Sequence, residues 1–134
     1  MRSGKVADVA GGSGADGAAV IQWTDTGATN QQWAFQSTAD GYHTITCVRS
    51  GKVLDVAGSS TADGARVVQA TPDGRTSQQW QLRHLSGGVF RVVNRNSGKV
   101  LDVNSGSTAD GAALIQYADR GSTNQQWTFQ RVTP

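Results

Sequence analysis

The carboxyl, imidazole and thiol groups that could perform acid–base or nucleophilic chemistry in this chain come from ten aspartates, two histidines and one cysteine, because glutamate is absent. Glycosidic hydrolysis needs two carboxyl groups roughly 5–9.5 Å apart, one of them with a raised pKa. Nine of the aspartates fall into three sets with a spacing close to 47 residues: Asp8, Asp55 and Asp102; Asp16, Asp63 and Asp110; Asp25, Asp73 and Asp119. A repeating fold would separate the members of each set, so we predict no catalytic carboxyl pair and no enzymatic activity.

The cysteine and the histidines offer no alternative reaction centre. Cys47 and His43 are four residues apart, which in a strand places them on one face but about 13 Å from each other. Two isolated histidines cannot build a four-ligand zinc site, and a single cysteine excludes a disulfide framework. We therefore expect neither a metal nor a cofactor.

Charge and hydropathy exclude two further partner classes. The 12 basic and 10 acidic side chains are scattered along the chain, so no basic stripe is available for nucleic acid. No apolar run approaches the ~18 residues of a membrane span, and the opening segment Met1–Val6 lacks the apolar stretch of a signal peptide. We predict no nucleic-acid binding and no membrane insertion.

An internal repeat determines how the remaining polar side chains are placed. Three motifs recur with a shift of 47 residues and no insertion or deletion. They are Ser-Gly-Lys-Val-x-Asp-Val from Ser3, Ser50 and Ser97, Ala-Asp-Gly-Ala from Ala15, Ala62 and Ala109, and Gln-Gln-Trp from Gln31, Gln78 and Gln125. This register predicts one domain over residues 1–134, divided into equivalent units at 1–40, 41–87 and 88–134.

Each unit has the composition of β structure. Glycine, aspartate, serine, threonine, valine and glutamine dominate, and four short strand patterns fit within one period. The Asp-Gly pairs indicate hairpins, and we predict no role for Asp16, Asp63 and Asp110 beyond these turns. A propeller usually needs at least four blades, so three copies favour a closed threefold barrel capped by hairpins.

The Gln-x-Trp motifs carry a family resemblance. They lie at Gln31–Trp33, Gln78–Trp80 and Gln125–Trp127, each after a Leu-Asp-Val type strand. This triplication resembles the ricin-type lectin domain, a β-trefoil, over essentially the whole chain. Within that family it is similar to the disulfide-free bacterial type, the family 13-like carbohydrate-binding modules that are often attached to glycoside hydrolases. The resemblance implies an all-β trefoil that binds glycans.

The resemblance also implies one shallow sugar site in each unit. An aspartate and an Asn-Gln pair would bind sugar hydroxyls, and an exposed aromatic ring would stack on the apolar C–H face. The residues that match are Asp8, Trp23, Asn30 and Gln31 in unit 1, and Asp102, Tyr117, Asn124 and Gln125 in unit 3. The tryptophans of the Gln-x-Trp motifs alternate with other apolar residues and are expected in the core.

Unit 2 departs from this pattern. It keeps Asp55 and Gln78, but Ala70 replaces the aromatic residue and Ser77 replaces the asparagine. A stacking contact of this sort is worth roughly 1–3 kcal/mol, so we predict a weak or silent second site.

The resemblance favours a multivalent extracellular lectin for galactose or related sugars. Ile21 and Ile115 stand where some family members have a polar residue, which leaves mannose-, xylose- or arabinose-containing glycans open. An alternative is a non-catalytic carbohydrate-binding module that anchors a glycoside hydrolase to plant polysaccharide. A second alternative is a protein-binding trefoil of the inhibitor or cytokine type.

The length predicts a specific irregularity. Three units of 47 residues would take 141 residues, 7 more than the 134 present, and the strand equivalent to Tyr42–Cys47 and Val89–Asn94 is missing from unit 1. The chain could be cut from a longer protein, the C-terminal tail could fill the gap, or another copy could close it. We expect the gap to promote a homo-oligomer.

Overall fold

The structure is a computed structural model that describes residues 3–131. Its eleven strands are β1 (Val6–Val9), β2 (Val20–Trp23), β3 (Trp33–Ser37), β4 (His43–Cys47), β5 (Val53–Val56), β6 (Val67–Ala70), β7 (Trp80–Ser86), β8 (Val89–Asn94), β9 (Val100–Val103), β10 (Leu114–Tyr117) and β11 (Trp127–Thr128). The only helical segments in the described chain are short 3-10 turns, which confirms the all-β prediction. None of its helical segments has the length and apolar character needed to cross a bilayer.

An equivalent antiparallel hairpin occurs in each unit. The three hairpins are β1–β2, β5–β6 and β9–β10. Their connections are longer than a two-residue Asp-Gly loop: a 3-10 turn at Asn104–Gly106 follows β9 before the chain reaches Asp110 and Gly111. Gly111 has a φ of +90°, which glycine adopts without steric cost.

The other five strands form a nearly closed barrel wall. They pair antiparallel in the order β3, β4, β7, β8 and β11. In the part of the chain that the structure describes, β3 pairs only with β4, and β11 only with β8. The wall therefore has five of the six strands that three complete units would supply, as the missing strand of unit 1 predicts.

The two edge strands border a seam, which we define by Trp33, Phe35, Trp127 and Phe129. The rings of Phe35 and Phe129 lie 4.9 Å apart across it, and 39% and 42% of these residues are exposed. β11 is only two residues long, whereas β3 and β7 at the equivalent place run over five and seven residues. β3 and β7 each pair with the strand that follows them, and among the described residues no strand follows β11. The tail residues Val132–Pro134, proposed above to fill the gap, lie outside the described residues.

The core has the threefold pattern of the sequence. Trp80 is completely buried, and its indole Nε1 donates to the Leu54 carbonyl at 3.0 Å. Trp33 and Trp127 make the equivalent bonds but are only partly buried, because they face the seam. Aliphatic side chains at equivalent positions complete the core: Val9, Val56 and Val103 on the first hairpin strands, and Val20, Val67 and Leu114 on the second.

Buried glutamines join the units to one another. The Gln116 side chain, fully buried in β10, donates from Nε2 to the carbonyls of Ser60 and Ala62 in unit 2, both at 2.9 Å. Its Oε1 accepts from the Ser97 hydroxyl at 2.8 Å. Gln69 makes the same contacts to unit 1, and Gln22 to unit 3. Each hairpin is thus bonded to a loop of another unit, and the three bonds form a ring.

We predict that Gln116→Ala lowers the free energy of unfolding by about 2–3 kcal/mol, because it removes three hydrogen bonds and leaves the partly buried Ser97 hydroxyl without its acceptor. Urea unfolding followed by tryptophan fluorescence measures the change. The matched control is Gln36→Ala on β3, where the side chain is exposed and the expected change is within about 0.5 kcal/mol. Equal stability of the two variants would contradict a structural role for Gln116.

Candidate functional site

A buried carboxylate lies on the first strand of every hairpin. Asp8, Asp55 and Asp102 are 6%, 2% and 5% exposed. Each accepts a hydrogen bond from the glutamine that opens a Gln-x-Trp motif. The three Nε2–Oδ2 distances are 2.8 Å for Gln31–Asp8, 3.1 Å for Gln78–Asp55 and 2.8 Å for Gln125–Asp102. The motif therefore determines where the carboxylate lies.

The same glutamines have their other polar atoms engaged within the protein. Gln125 is fully buried; its Nε2 also donates to the Ala118 carbonyl at 2.9 Å, and its Oε1 accepts from the backbone N–H of Arg120 at 2.8 Å. Gln31 and Gln78 make equivalent contacts. These bonds give the motif glutamines a positioning role beneath the carboxylates. Direct contact of Gln31 or Gln125 with a sugar stays a prediction.

The asparagines hold the second carboxylate oxygen in units 1 and 3. Asn124 donates from Nδ2 to Asp102 Oδ1 at 2.9 Å and to the Val103 carbonyl at 3.1 Å. Asn30 makes the same two contacts with Asp8 Oδ1 and the Val9 carbonyl, both at 3.1 Å. Each carboxylate is thereby fixed by two amide donors, and its free lone pairs are available to hydroxyl donors.

Two aromatic rings stand at the ends of the second hairpin strands. Trp23 ends β2 and is 39% exposed, and Tyr117 ends β10 and is half-buried. The residue after each ring is bonded to a hairpin aspartate of another unit: Thr24 N–H to Asp110 Oδ1 at 2.8 Å, and Ala118 N–H to Asp63 Oδ1 at 3.0 Å. The prediction that these aspartates only form turns is therefore wrong, because they also fix the backbone beside the rings.

In unit 3 these residues line a cavity of about 470 Å³. Its walls include Asp102, Tyr117 and Asn124, with Ile115 as an apolar surface among them. Three of the four residues predicted for this unit thus meet at one place, and the fourth, Gln125, lies directly behind Asp102. Sequence reasoning missed Arg120, which also lines the cavity. The signal that could have found it is its departure from Thr26 and Asp73 at the equivalent position.

Unit 2 is arranged differently. Ser77 is 1% exposed and contacts the Ser59 hydroxyl at 3.1 Å, so Asp55 Oδ1 accepts instead from its neighbour's backbone, the Val56 N–H, at 2.7 Å. Arg75 stands 3.9 Å from Asp55 Oδ2 and is bonded to Asp73 at 2.8 Å. The carboxylate of unit 2 is thus opposed by a cation and has no aromatic ring beside it, which supports the prediction of a weak site.

The described residues contain no group of three or more His, Cys, Asp or Glu side chains that could hold a metal ion.

Comparison with protein families adds the deciding observation: the family described as "Ricin-type beta-trefoil lectin domain-like" matches residues 1–70 and 76–134. The chain belongs to this family. A comparison with curated protein sequences gave no match.

Solved structures agree with the family assignment. The designed threefold-symmetric protein ThreeFoil superposes with a TM-score of 0.94 at 48% identity, over 95% of this chain and 91% of its own. An exo-beta-1,3-galactanase from Clostridium thermocellum gives 0.93 at 40% identity, over 95% of this chain but only 28% of the enzyme. The ricin B-like lectin of Macrolepiota procera, solved in complex with lactose, gives 0.84 at 25% identity, over 98% and 91% of the two chains. These structures confirm the β-trefoil fold.

The pH dependence of Asp102 follows from its burial. Desolvation raises the pKa of this carboxyl above the ordinary value of 3.8, and this effect outweighs the hydrogen bonds from Gln125 and Asn124 and the charge of Arg120, which lower it. Because the folded pKa is raised, the contribution of Asp102 to stability falls as the pH rises through that pKa.

We therefore expect the Asp102 carboxyl carbon, followed by NMR, to titrate with a midpoint above 3.8. Asp102→Asn assigns the resonance, because its signal disappears in the variant. A midpoint at or below the ordinary value would contradict the dominance of burial over the amide donors.

Proposed function

We propose that this chain is a non-catalytic carbohydrate-binding lectin domain that acts outside the cell, with sugar sites in units 1 and 3. The observation that supports this most directly is the pairing of a carboxylate held by two amides with an aromatic ring in those two units alone. Carboxylate oxygens accept from adjacent sugar hydroxyls, and the ring covers the C–H face. Galactose-type sugars are the first candidates, because the Macrolepiota procera lectin of the same fold was solved with lactose.

Two sites in one chain make multivalent binding the expected mode of action. A shallow polar site is worth only about 4–5.5 kcal/mol, which corresponds to a dissociation constant of roughly 0.1–1 mM. Two linked sites that engage one glycan surface gain avidity by roughly 10²–10⁴. The protein would therefore discriminate dense glycan surfaces from isolated sugars.

A second candidate is a module that anchors a glycoside hydrolase to polysaccharide. It is favoured by the galactanase, in which a domain similar to this chain makes up only 28% of the protein. Cell agglutination that free sugar inhibits would support the lectin, whereas retention on insoluble polysaccharide without agglutination would support the anchoring module. Binding only to proteins stripped of glycans would contradict both and favour the protein-binding alternative.

The site assignment predicts the number of bound sugars. With lactose as the probe, we expect NMR titration to show binding at two places, and Trp23→Ala or Tyr117→Ala to leave one. The loss of affinity at the varied site should be about 5- to 150-fold, which corresponds to the roughly 1–3 kcal/mol that a stacked ring is worth. Because Trp23 is 39% exposed and lies outside the core, Trp23→Ala should cost only about 1–2 kcal/mol of unfolding free energy and leave the protein folded.

Unit 2 provides the internal control for this titration, since it already has Ala70 in place of the ring. A third binding event at Asp55 would contradict its assignment as a weak site. Unfolding of the Trp23→Ala variant would contradict the role of Trp23 as an exposed ring.

We also propose that the seam between β3 and β11 is covered by a second copy of this chain. Phe35 and Phe129 expose apolar rings there, beside two strand edges that have unpaired ladder groups within the described residues. A second copy brings the same edge and the same rings, so a twofold contact would satisfy both surfaces at once.

Light scattering on the chromatographed protein should then give a mass above the 14.0 kDa of one chain. Phe35→Ser together with Phe129→Ser should shift the mass towards the monomer, because the pair removes the apolar surface of the seam. Val48→Ser is the control, since Val48 is 51% exposed but lies in the turn between β4 and β5. A stable monomer at all concentrations would contradict this proposal and leave the sugar sites unaffected.

A further inference from the structure

One position beside the sugar sites carries a different charge in each unit. Thr26, Asp73 and Arg120 occupy the same place, because the backbone N–H of each donates to the Oε1 of its motif glutamine, at 2.8, 2.9 and 2.8 Å. The fold uses the backbone N–H of this residue in all three units, but the side chains make different contacts: Thr26 Oγ1 also donates to Gln31 Oε1 at 3.2 Å, and Asp73 pairs with Arg75. The side chain is neutral in unit 1, negative in unit 2 and positive in unit 3.

The cation of unit 3 has a neutral partner. The Arg120 guanidinium donates to the Tyr117 hydroxyl at 3.2 Å, and its central carbon lies 4.6 Å from the centre of the ring. Within residues 3–131, no carboxylate forms an ion pair with it at 4.0 Å or less, whereas Arg75 is paired with Asp73 and Arg91 with Asp119. The positive charge of Arg120 thus faces the cavity without a direct counter-charge.

Asp102 and Arg120 lie at different depths in the cavity, and their roles differ accordingly. Asp102 is 5% exposed and held by amides, so it can accept from a hydroxyl that enters the cavity. Arg120 is exposed and lines the same cavity beside the ring of Tyr117. A guanidinium presents paired N–H donors whose geometry matches the oxygens of a carboxylate or a sulfate. A ring hydroxyl and an acidic substituent of one sugar could therefore be bound together.

We infer that the unit 3 site selects glycans that carry an acidic group, while the unit 1 site, with Thr26 at the equivalent position, takes neutral sugars. The sugar hydroxyls bind Asp102, the C–H face lies on Tyr117, and the carboxylate or sulfate binds Arg120. The inference rests on the proposed function and adds a ligand class to one of its sites. A single chain would then recognise two different features of a glycan surface.

The test uses three probes with one ring: methyl galactoside, its C6 carboxylate (methyl galacturonoside) and its 6-sulfate. In a Trp23→Ala background, which leaves only the unit 3 site, we expect the better of the two acidic probes to bind at least tenfold more tightly than the neutral one. This preference should decrease as salt is added, because exposed charges are screened over about 10 Å at 0.1 M. The two acidic probes distinguish a carboxylate site from a sulfate site.

Arg120→Thr places the unit 1 residue in unit 3 and should abolish the acidic preference. The matched control is Arg83→Thr, which removes the same charge from an exposed arginine of β7 bonded to Gln81 and should leave the preference intact. The reciprocal change, Thr26→Arg in a Tyr117→Ala background, should create an acidic preference in unit 1.

Two results would overturn the inference. An acidic preference that Arg120→Thr leaves unchanged would show that the arginine does not bind the ligand. Tighter binding of the neutral probe to Arg120→Thr, without loss of acidic binding, would show that Arg120 merely covers the ring. If neither site of the unmodified protein binds any of the three probes, the proposed galactose-type function fails instead, which separates the two outcomes.

Discussion

Three buried side-chain amides are the interaction on which this molecule depends. Gln22, Gln69 and Gln116 lie in the hairpins, where an unpaired amide would cost several kcal/mol of desolvation. In each of them the Nε2 group donates to loop carbonyls of another unit, so the buried amide donors are satisfied only when that unit is in place. Because Trp23 and Tyr117 directly follow two of these glutamines, the closure of the ring of units also places the rings of the proposed sites.

The Gln-x-Trp motif acts on the same strand from two directions. Its glutamine bonds the carboxylate of the aspartate, and its tryptophan donates to the backbone carbonyl one residue earlier, as Gln78 and Trp80 do with Asp55 and Leu54. This double attachment explains why unit 2 has the full motif although Ala70 and Ser77 replace the aromatic ring and the asparagine of the proposed sugar sites. The motif is thus a structural device, and a site requires further side chains around it.

Much of the fold could be predicted from the sequence because the repeat is in register: strand patterns, units and the missing strand all follow from one period of 47 residues. The contacts between units could not be predicted in this way. Asp63 caps the backbone at Ala118, 55 residues away, and Gln22 bonds Ala109, 87 residues away. Such pairs depend on how the three units close around the axis, which local patterns do not encode. The short β11 likewise reflects a missing neighbour rather than its own residues.

The residues of the candidate site also fall into those that could be predicted from the sequence and those that could not. Asp102, Asn124 and Tyr117 were predicted from a resemblance and meet in one cavity, whereas Arg120 was missed because its backbone, not its side chain, belongs to the repeated framework. The contact that all three units share at this position is the backbone N–H, so its side chain is neutral in one unit, acidic in another and basic in the third. In a threefold protein, such positions allow the units to differ in charge while the backbone frame stays the same. We therefore expect ligand preference to come from the residues that differ between units, whereas the residues that the units share hold the barrel together.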